Sequence, residues 1–167
     1  MGENTIKIRM ATVDDAEKIL AVYAPYIRET GITFEYEVPT VEAFRERIEK
    51  VLTRFPYLVA ERDGEILGYS YANPLGERAA FSRAAETVLY VKKDARGEKI
   101  GSRLYERLEE ILKKQNITNI CACIAYREEE DETLTHASPK FHAACGYKKI
   151  GHFTKCGYKF GRWYDLI

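Results

Sequence analysis

The segment from Glu86 to Tyr126 constrains the fold of this chain most strongly. "ETVLYVKK", from Glu86 to about Lys92, is an apolar run typical of a strand, and "NICACIAY" predicts another. Between them lies a predicted helix with one apolar face, formed by Ile100, Leu104, Leu108, Ile111 and Leu112. A strand–helix–strand unit of this kind forms a parallel, right-handed crossover. The sequence therefore predicts an α/β fold with a mixed sheet.

The N-terminal segment predicts a strand followed by a helix. "IKIRMAT", Ile6 to Thr12, alternates apolar and polar residues, and Thr12 with Asp15 matches a capping box. Apolar residues at helical spacing follow. We expect Pro25 to end or kink this helix near Ala24, because proline lacks a backbone N–H group.

Capping and turn residues mark the remaining elements. Thr40 is expected to cap a second helix, and Asp63-Gly64 predicts the tight turn of a hairpin. "SPKFHAACGY", with Pro139 in its first turn and Gly146 at its end, predicts a short helix. "YKKIGHFTKCG" and "KFGRWYDLI" follow as two strand-like pieces.

Size and charge narrow the class of protein. The 167 residues suit a single domain over 1–167. Basic and acidic residues both number 26, so the chain lacks the positive charge typical of nucleic-acid binding. It has no long apolar run and no signal peptide, which predicts a soluble, cytoplasmic protein.

The cysteines predict no metal site. The spacings of Cys121, Cys123, Cys145 and Cys156 match no zinc-binding pattern. In a buried strand Cys121 and Cys123 would point to one face. We interpret these two as reduced core cysteines, with a metal or redox role as the less favoured alternative.

The turn before the central helix is a candidate phosphate site. "ARGEKIGS" places glycine, cation and hydroxyl where a helix begins, and the first N–H groups of a helix attract anions. The chain contains neither GxxxxGK[ST] nor GxGxxG, so the nucleotide-binding motifs do not fit. From these residues alone, Gly97 and Gly101 are equally well explained as turn residues.

Taken together, the neighbouring residues decide between these readings. "VLYVKKDARGEKIGSRLYERL" resembles the acetyl-CoA motif of the GNAT acetyltransferases, in which Arg96 and Gly101 match and Lys99 replaces the first glycine. "FPYLVAERDGEILGYSYANP", "KFHAACGY" and "CGYKFGRWYDL" resemble the phosphinothricin and methionine sulfone acetyltransferase branch. The resemblance implies a partly splayed mixed sheet flanked by helices, acetyl-CoA as donor, a homodimer and no metal.

The resemblance also implies which residues hold acetyl-CoA. The backbone of Leu89, Tyr90 and Val91 would bind the pantetheine arm and supply an oxyanion donor. Thr135 and Ser138 stand at further pantetheine positions, where Thr135 replaces the usual asparagine. The pyrophosphate would lie on the turn formed by Arg96, Gly97, Glu98, Lys99, Ile100, Gly101 and Ser102.

Two residues are candidates for proton transfer. Glu86 stands at the position of the branch's proposed catalytic glutamate and would accept the amine proton, directly or through water; the alternative is a solvated strand-end glutamate. His142 stands where many relatives carry a tyrosine that acts as general acid. The alternative is a histidine that only packs beside the cofactor.

Acceptor contacts are expected from two loops and the central strand. Arg78 suits a carboxylate or phosphinate, although an exposed loop arginine is the competing interpretation. Leu75 stands where phosphinothricin-modifying relatives carry tryptophan, so the resemblance does not transfer the acceptor's identity. The expected contacts are Phe34, Glu35, Asn73, Pro74, Arg78 and Thr87.

The predicted function is acetyl transfer to the primary amine of a small molecule, an amino acid or an analogue such as methionine sulfone. Two alternatives stay open. One is a protein N-terminal or polyamine acetyltransferase. The other is a CoA-binding module without turnover, which Lys99 and Thr135 would favour.

Overall fold

The computed structural model describes residues 5–167. Their helices are α1 Ala16–Glu29, α2 Val41–Leu52, α3 Ile100–Lys114 and α4 Ala137–Ala144. Their strands are β1 Lys7–Met10, β2 Tyr57–Arg62, β3 Glu65–Pro74, β4 Ala84–Val91, β5 Asn119–Cys121, β6 Ala125–Tyr126, β7 Phe153–Lys159 and β8 Arg162–Leu166.

The described chain divides into two compact units. The first unit comprises the described residues up to Tyr23 together with Pro39–Ala122, and the second comprises Ala24–Val38 together with Cys123–Ile167. The prediction of one domain over 1–167 stays a prediction, and residues 1–4 lie outside the described residues.

The first unit contains a five-stranded sheet in the order β1-β2-β3-β4-β5. All neighbouring pairs are antiparallel except β4 and β5, which are parallel, as the strand–helix–strand pattern predicts. Helix α3 packs on β2, β3 and β4. Its apolar face is buried through Ile100, Leu104, Leu108 and Leu112, which confirms the predicted helical stripe.

The second unit contains a three-stranded antiparallel sheet in the order β6-β8-β7. Strands β7 and β8 form a hairpin whose turn residues, Phe160 and Gly161, both have positive φ. A buried cluster combines Ala125 of β6 and Tyr164 of β8 with Leu134.

Several local predictions are confirmed. The Thr40 hydroxyl accepts the N–H of Ala43 at 3.1 Å and begins α2. Asp63 and Gly64 have φ of 51° and 82°, the left-handed pair that a tight hairpin requires. Helix α4 ends before Gly146, whose φ is 90°.

Pro25 does not end the first helix, which excludes one of the two outcomes predicted for it, a helix end or a kink. Helix α1 continues to Glu29 with Pro25 inside it. Tyr26 and Ile27, beyond the proline, are 4% and 1% exposed. Burial of these side chains outweighs the one backbone hydrogen bond that the proline removes.

"NICACIAY" is not one strand. Its first part is β5 in the five-stranded sheet and its last part is β6 in the other sheet. The interpretation of core cysteines is therefore wrong: Cys121 is half-buried and Cys123 is exposed. None of the four cysteines, all of them within residues 5–167, forms a disulfide.

Within residues 5–167, none of the helices has the length and apolar character needed to cross a membrane.

Candidate active site

Strand register places the predicted base on one face of the five-stranded sheet. Glu86 pairs with Asn73 across the β3–β4 ladder. Side chains alternate between the two faces of a strand, so the neighbouring pairs Tyr71–Val88 and Tyr69–Tyr90 lie on the same face as Glu86. Thr87, Leu89 and Val91 point to the opposite face.

Glu86 is half-buried at the point where β4 and β5 part. The parallel ladder ends at Glu86↔Cys121. Among the described residues, the Glu86 carboxylate forms no hydrogen bond or ion pair. An unengaged, half-buried carboxylate beside an amide side chain is suited to accept a proton from a bound amine.

A group of tyrosines lines the same face and was missed by the sequence interpretation. Tyr57 and Tyr71 stack with ring centroids 4.6 Å apart, and Tyr90 contacts both Tyr69 at 5.5 Å and Tyr23 at 4.8 Å. Burial raises the pKa of Tyr57 and Tyr69, so both phenols stay neutral. The alternating tyrosines of "GYSYANP" were the available signal.

The Thr87 side chain lies on the face of the sheet opposite that of Glu86. Thr87 is only 3% exposed, and its Oγ1 lies 3.2 Å from the Cys121 carbonyl oxygen and 3.5 Å from the Tyr105 hydroxyl. These contacts join β4 to β5 and α3. They favour a structural role over the predicted acceptor contact.

The end of β4 can hold an extended ligand through its backbone. Pairing with β5 stops at Glu86, whereas pairing with β3 continues to Val91. The Lys92 N–H donates to Leu67 O at 2.8 Å. Backbone groups alternate sides along an antiparallel strand, so those of Leu89 and Val91 point away from β3, toward the side where β5 has ended.

The turn into α3 has the conformation that an anion site needs. Gly97 and Lys99 have φ of 89° and 59°, both left-handed. Buried Ile100 anchors the helix start, and the Ser102 hydroxyl donates to Lys99 O at 3.0 Å. The first N–H groups of an α-helix have no acceptor within the helix and sit at its positive end. This turn therefore fits a pyrophosphate.

Lys99, which replaces the usual glycine of the motif, has a left-handed backbone conformation. A left-handed residue is needed at this position, which is why glycine is usual there. Lysine adopts that conformation at a steric cost, and its backbone donors remain in place. The other charged groups of the turn are exposed: Glu98 pairs with Arg62 at 2.6 Å, and Arg96 lies on the surface.

His142, in the second unit, is buried on α4. Its Nδ1 lies 2.8 Å from the Ser138 carbonyl oxygen. A carbonyl only accepts, so Nδ1 carries the proton. Burial lowers the pKa of His142, although this hydrogen bond raises it, and the ring is neutral at pH 7. A neutral imidazole whose N–H is engaged is poorly suited to be a general acid, which favours the packing alternative.

Thr135 and Ser138 flank the start of α4. Thr135 is exposed, and its Oγ1 accepts the N–H of Ala137 at 3.4 Å. The Ser138 hydroxyl is half-buried and lies 3.4 Å from Nδ1 of His142. Both stay proposed pantetheine contacts.

The predicted acceptor residues fall into both units. In the second unit, Phe34 and Glu35 are half-buried, and the Glu35 N–H donates to Thr33 Oγ1 at 3.4 Å. In the first unit, Asn73 is half-buried, whereas Pro74 and Arg78 are exposed where β3 leads into the following loop.

Among residues 5–167, no three histidine, cysteine or acidic side chains are grouped so that they could hold a metal ion.

Comparisons with known proteins identify relatives along nearly the whole chain. Phosphinothricin N-acetyltransferase of Alcaligenes faecalis is 36% identical, over 96% of this chain and 79% of its own length. The L-methionine sulfoximine/L-methionine sulfone acetyltransferase of Pseudomonas aeruginosa is 32% identical, over 95% of this chain and 90% of its own.

A solved structure shares the fold. A GNAT phosphinothricin acetyltransferase of Sinorhizobium meliloti, determined with acetyl-CoA, superposes with a TM-score of 0.87 at 26% identity. The match covers 97% of this chain and 85% of that one. Residues 8–167 match the family described as acetyltransferase (GNAT) domain. The mixed sheet flanked by helices, the backbone-lined strand end and the glycine turn thus belong to one fold, and this chain is a member of the GNAT acetyltransferase family.

Proposed function

We propose that this protein transfers the acetyl group of acetyl-CoA to the primary amine of a small amino acid or amino-acid analogue. The observation that carries the proposal is the Glu86 carboxylate, half-buried and without a partner among the described residues, at the point where β4 parts from β5. The relatives named for phosphinothricin and methionine sulfone support this class of acceptor.

Different groups of the chain would bind acetyl-CoA and stabilise the reacting atoms. Acetyl-CoA supplies an activated acyl thioester. The backbone groups of Leu89 and Val91, which point away from β3, hold it in line and donate a hydrogen bond to the developing oxyanion, whereas those of Tyr90 point toward β3. The turn from Arg96 to Ser102 binds the pyrophosphate.

Glu86 supplies the base. It takes a proton from the acceptor, directly or through water, so that the amine nitrogen has a lone pair for attack on the carbonyl carbon. When the carbon–sulfur bond breaks, the thiolate takes a proton from water, because neutral His142 packs on α4 with its N–H engaged. Phe34, Glu35, Asn73, Pro74 and Arg78 are proposed acceptor contacts.

An acceptor screen tests this function. Thiol release is measured with phosphinothricin, methionine sulfone, free amino acids, a peptide amine and a polyamine, beside calorimetric titration with acetyl-CoA. Turnover on the amino-acid analogues supports the proposal. Preference for the peptide amine or the polyamine would indicate a protein N-terminal or polyamine acetyltransferase instead. Binding of acetyl-CoA without turnover on any amine would identify a CoA-binding module.

A homodimer in the cytoplasm belongs to the same proposal. Phe160 and Trp163 are 42% and 52% exposed, and Trp163 packs against exposed Tyr158 across the β7–β8 hairpin. Tyr164, on the same strand as Trp163, is fully buried and does not belong to this exposed surface. Light scattering should give twice the chain mass of 19.2 kDa. A mass of one chain at working concentration contradicts the dimer.

A further inference from the structure

Lys159, at the end of β7, is a buried cation with every donor engaged. Lys159 is only 4% exposed. Nζ lies 2.7 Å from Ile27 O, 2.9 Å from Thr30 O and 2.9 Å from Thr33 O. An ammonium group has three N–H donors, so Lys159 donates all of them to carbonyls within seven residues of chain.

These carbonyls belong to the end of α1 and the segment after it. The last carbonyls of a helix have no partner within the helix and form its negative end. Burial lowers the pKa of Lys159, while the charge of Glu35 raises it. A cation at this position satisfies the helix end and fixes the path by which the chain leaves it.

The rest of the β7–β8 hairpin contacts the same segment. Gly157 lies so close to Phe34 that a Cβ built there would be 2.6 Å from the phenyl ring. The Phe34 and Tyr164 rings have centroids 6.1 Å apart, and the Tyr36 hydroxyl donates to Tyr158 O. The segment Thr30–Tyr36 is thus held by the Lys159 ammonium, the close approach of the Gly157 backbone, the ring of Tyr164 and a hydrogen bond from the Tyr36 hydroxyl.

We propose that Lys159 is a positioning residue that sets acceptor affinity by fixing the segment bearing Phe34 and Glu35. The inference rests on the proposed function, in which these two residues contact the acceptor. Lys159 takes no part in proton transfer, since its three protons are held by carbonyls and an ammonium has no lone pair. Its effect is on binding geometry alone.

The test compares Lys159→Met with Lys155→Met, the same change at an exposed lysine of the same strand. We expect Lys159→Met to raise the KM for the acceptor by at least about tenfold, with a smaller change in kcat, because small displacements of a binding group are costly. Affinity for acetyl-CoA should not change. Lys159→Arg, which keeps a cation, should recover part of the loss. A folded Lys159→Met enzyme with the wild-type KM overturns the proposal.

A second pair of variants covers the case in which Lys159→Met does not fold. Gly157→Ala keeps the ammonium but pushes on Phe34, whereas Gly151→Ala adds a Cβ with no atom within 4 Å. We expect only Gly157→Ala to raise the acceptor KM. An unchanged KM contradicts the link between this segment and acceptor affinity.

Amide hydrogen exchange separates this inference from the proposed function. If the wild type acetylates no amine in the screen, the proposed function fails, and Lys159 is judged by exchange in the segment Thr30–Tyr36. Faster exchange in Lys159→Met than in Lys155→Met retains Lys159 as the group that fixes this segment. Unchanged exchange removes that role as well.

Discussion

The two units of the molecule are stabilised in different ways. The first is built around apolar packing: α3 buries a leucine stripe against the sheet, and one sheet face carries stacked tyrosines. The second has a small apolar cluster and several buried polar side chains, among them Thr30, Thr33, Thr133 and Lys159.

Polar side chains therefore have different roles in the two units. In the first unit the polar group of interest, Glu86, is not used for folding and is available for proton transfer. In the second, buried polar groups satisfy backbone carbonyls and each other. Substitution of Glu86 in the first unit should therefore cost activity, whereas substitution of Asp131 or Tyr164 in the second should cost stability.

The largest effect on stability is expected from the apolar core of the first unit. Leu104 is fully buried on α3. Leu104→Ala should lower the free energy of unfolding by about 2–5 kcal/mol, because it removes packed carbons and leaves a cavity. Urea denaturation measures the change, and Leu75→Ala, at an exposed leucine, is the control. Similar losses for both variants would show that α3 packing does not dominate this unit.

Removal of the base should affect rate and not stability. Glu86→Gln keeps the size of the side chain but removes the proton acceptor, so transfer should fall by roughly a hundredfold or more. The loss should shrink at high pH, where more of the amine is already neutral. Steady-state rates from pH 6 to 10 measure this, with exposed Glu106→Gln as control. Wild-type turnover across the range excludes Glu86 from the mechanism.

Asp131, in the second unit, is expected to affect stability rather than rate. Burial by itself raises the pKa of this carboxyl group. Hydrogen bonds from the Thr133 hydroxyl, the Arg162 guanidinium and the N–H groups of Thr133 and Leu134 outweigh burial and hold the pKa well below its usual range. The folded-state pKa lies below the unfolded value, so the stabilisation is present above an aspartate's ordinary 3.8 and is lost as pH falls below it.

Asp131→Asn should therefore lower stability at pH 7 by about 1–3 kcal/mol and flatten its acid dependence. Urea unfolding at pH 7 and pH 3 measures both quantities. Asp14→Asn, at a carboxylate whose side chain is 86% exposed and paired with Arg45, should change neither. Parallel acid profiles for Asp131→Asn and the wild type would contradict the assignment.

The smallest effect is expected at a buried hydroxyl. Tyr164 is fully buried, and its hydroxyl lies 2.7 Å from Thr133 Oγ1. Thr133 already donates to Asp131, so Tyr164→Phe removes one donor and should cost about 1 kcal/mol. Thermal unfolding measures the change, and Tyr158→Phe, at a half-exposed tyrosine, should have no effect. Equal melting temperatures for Tyr164→Phe and the wild type would show that this hydrogen bond adds nothing to stability.

Local signals in the sequence predicted most of the first unit. The stripe of α3, the cap at Thr40 and the turn at Asp63-Gly64 depend on residues within a few positions of one another, so periodicity and turn chemistry identify them. The same reasoning left two outcomes open at Pro25 and failed in "NICACIAY". There, burial of side chains beyond the proline and the division of one apolar run between two sheets decided the outcome.

The sequence by itself determined the element order apart from the division of "NICACIAY" into β5 and β6, together with the parallel crossover, the glycine turn before α3 and, through motif resemblance, the family. Tertiary structure alone decided which polar groups are engaged. Lys159 meets the carbonyls of Ile27, Thr30 and Thr33 across more than 120 positions of chain. No local pattern specifies such a contact, because the carbonyls that a buried cation needs are brought together only when α1, the segment after it and β7 are packed.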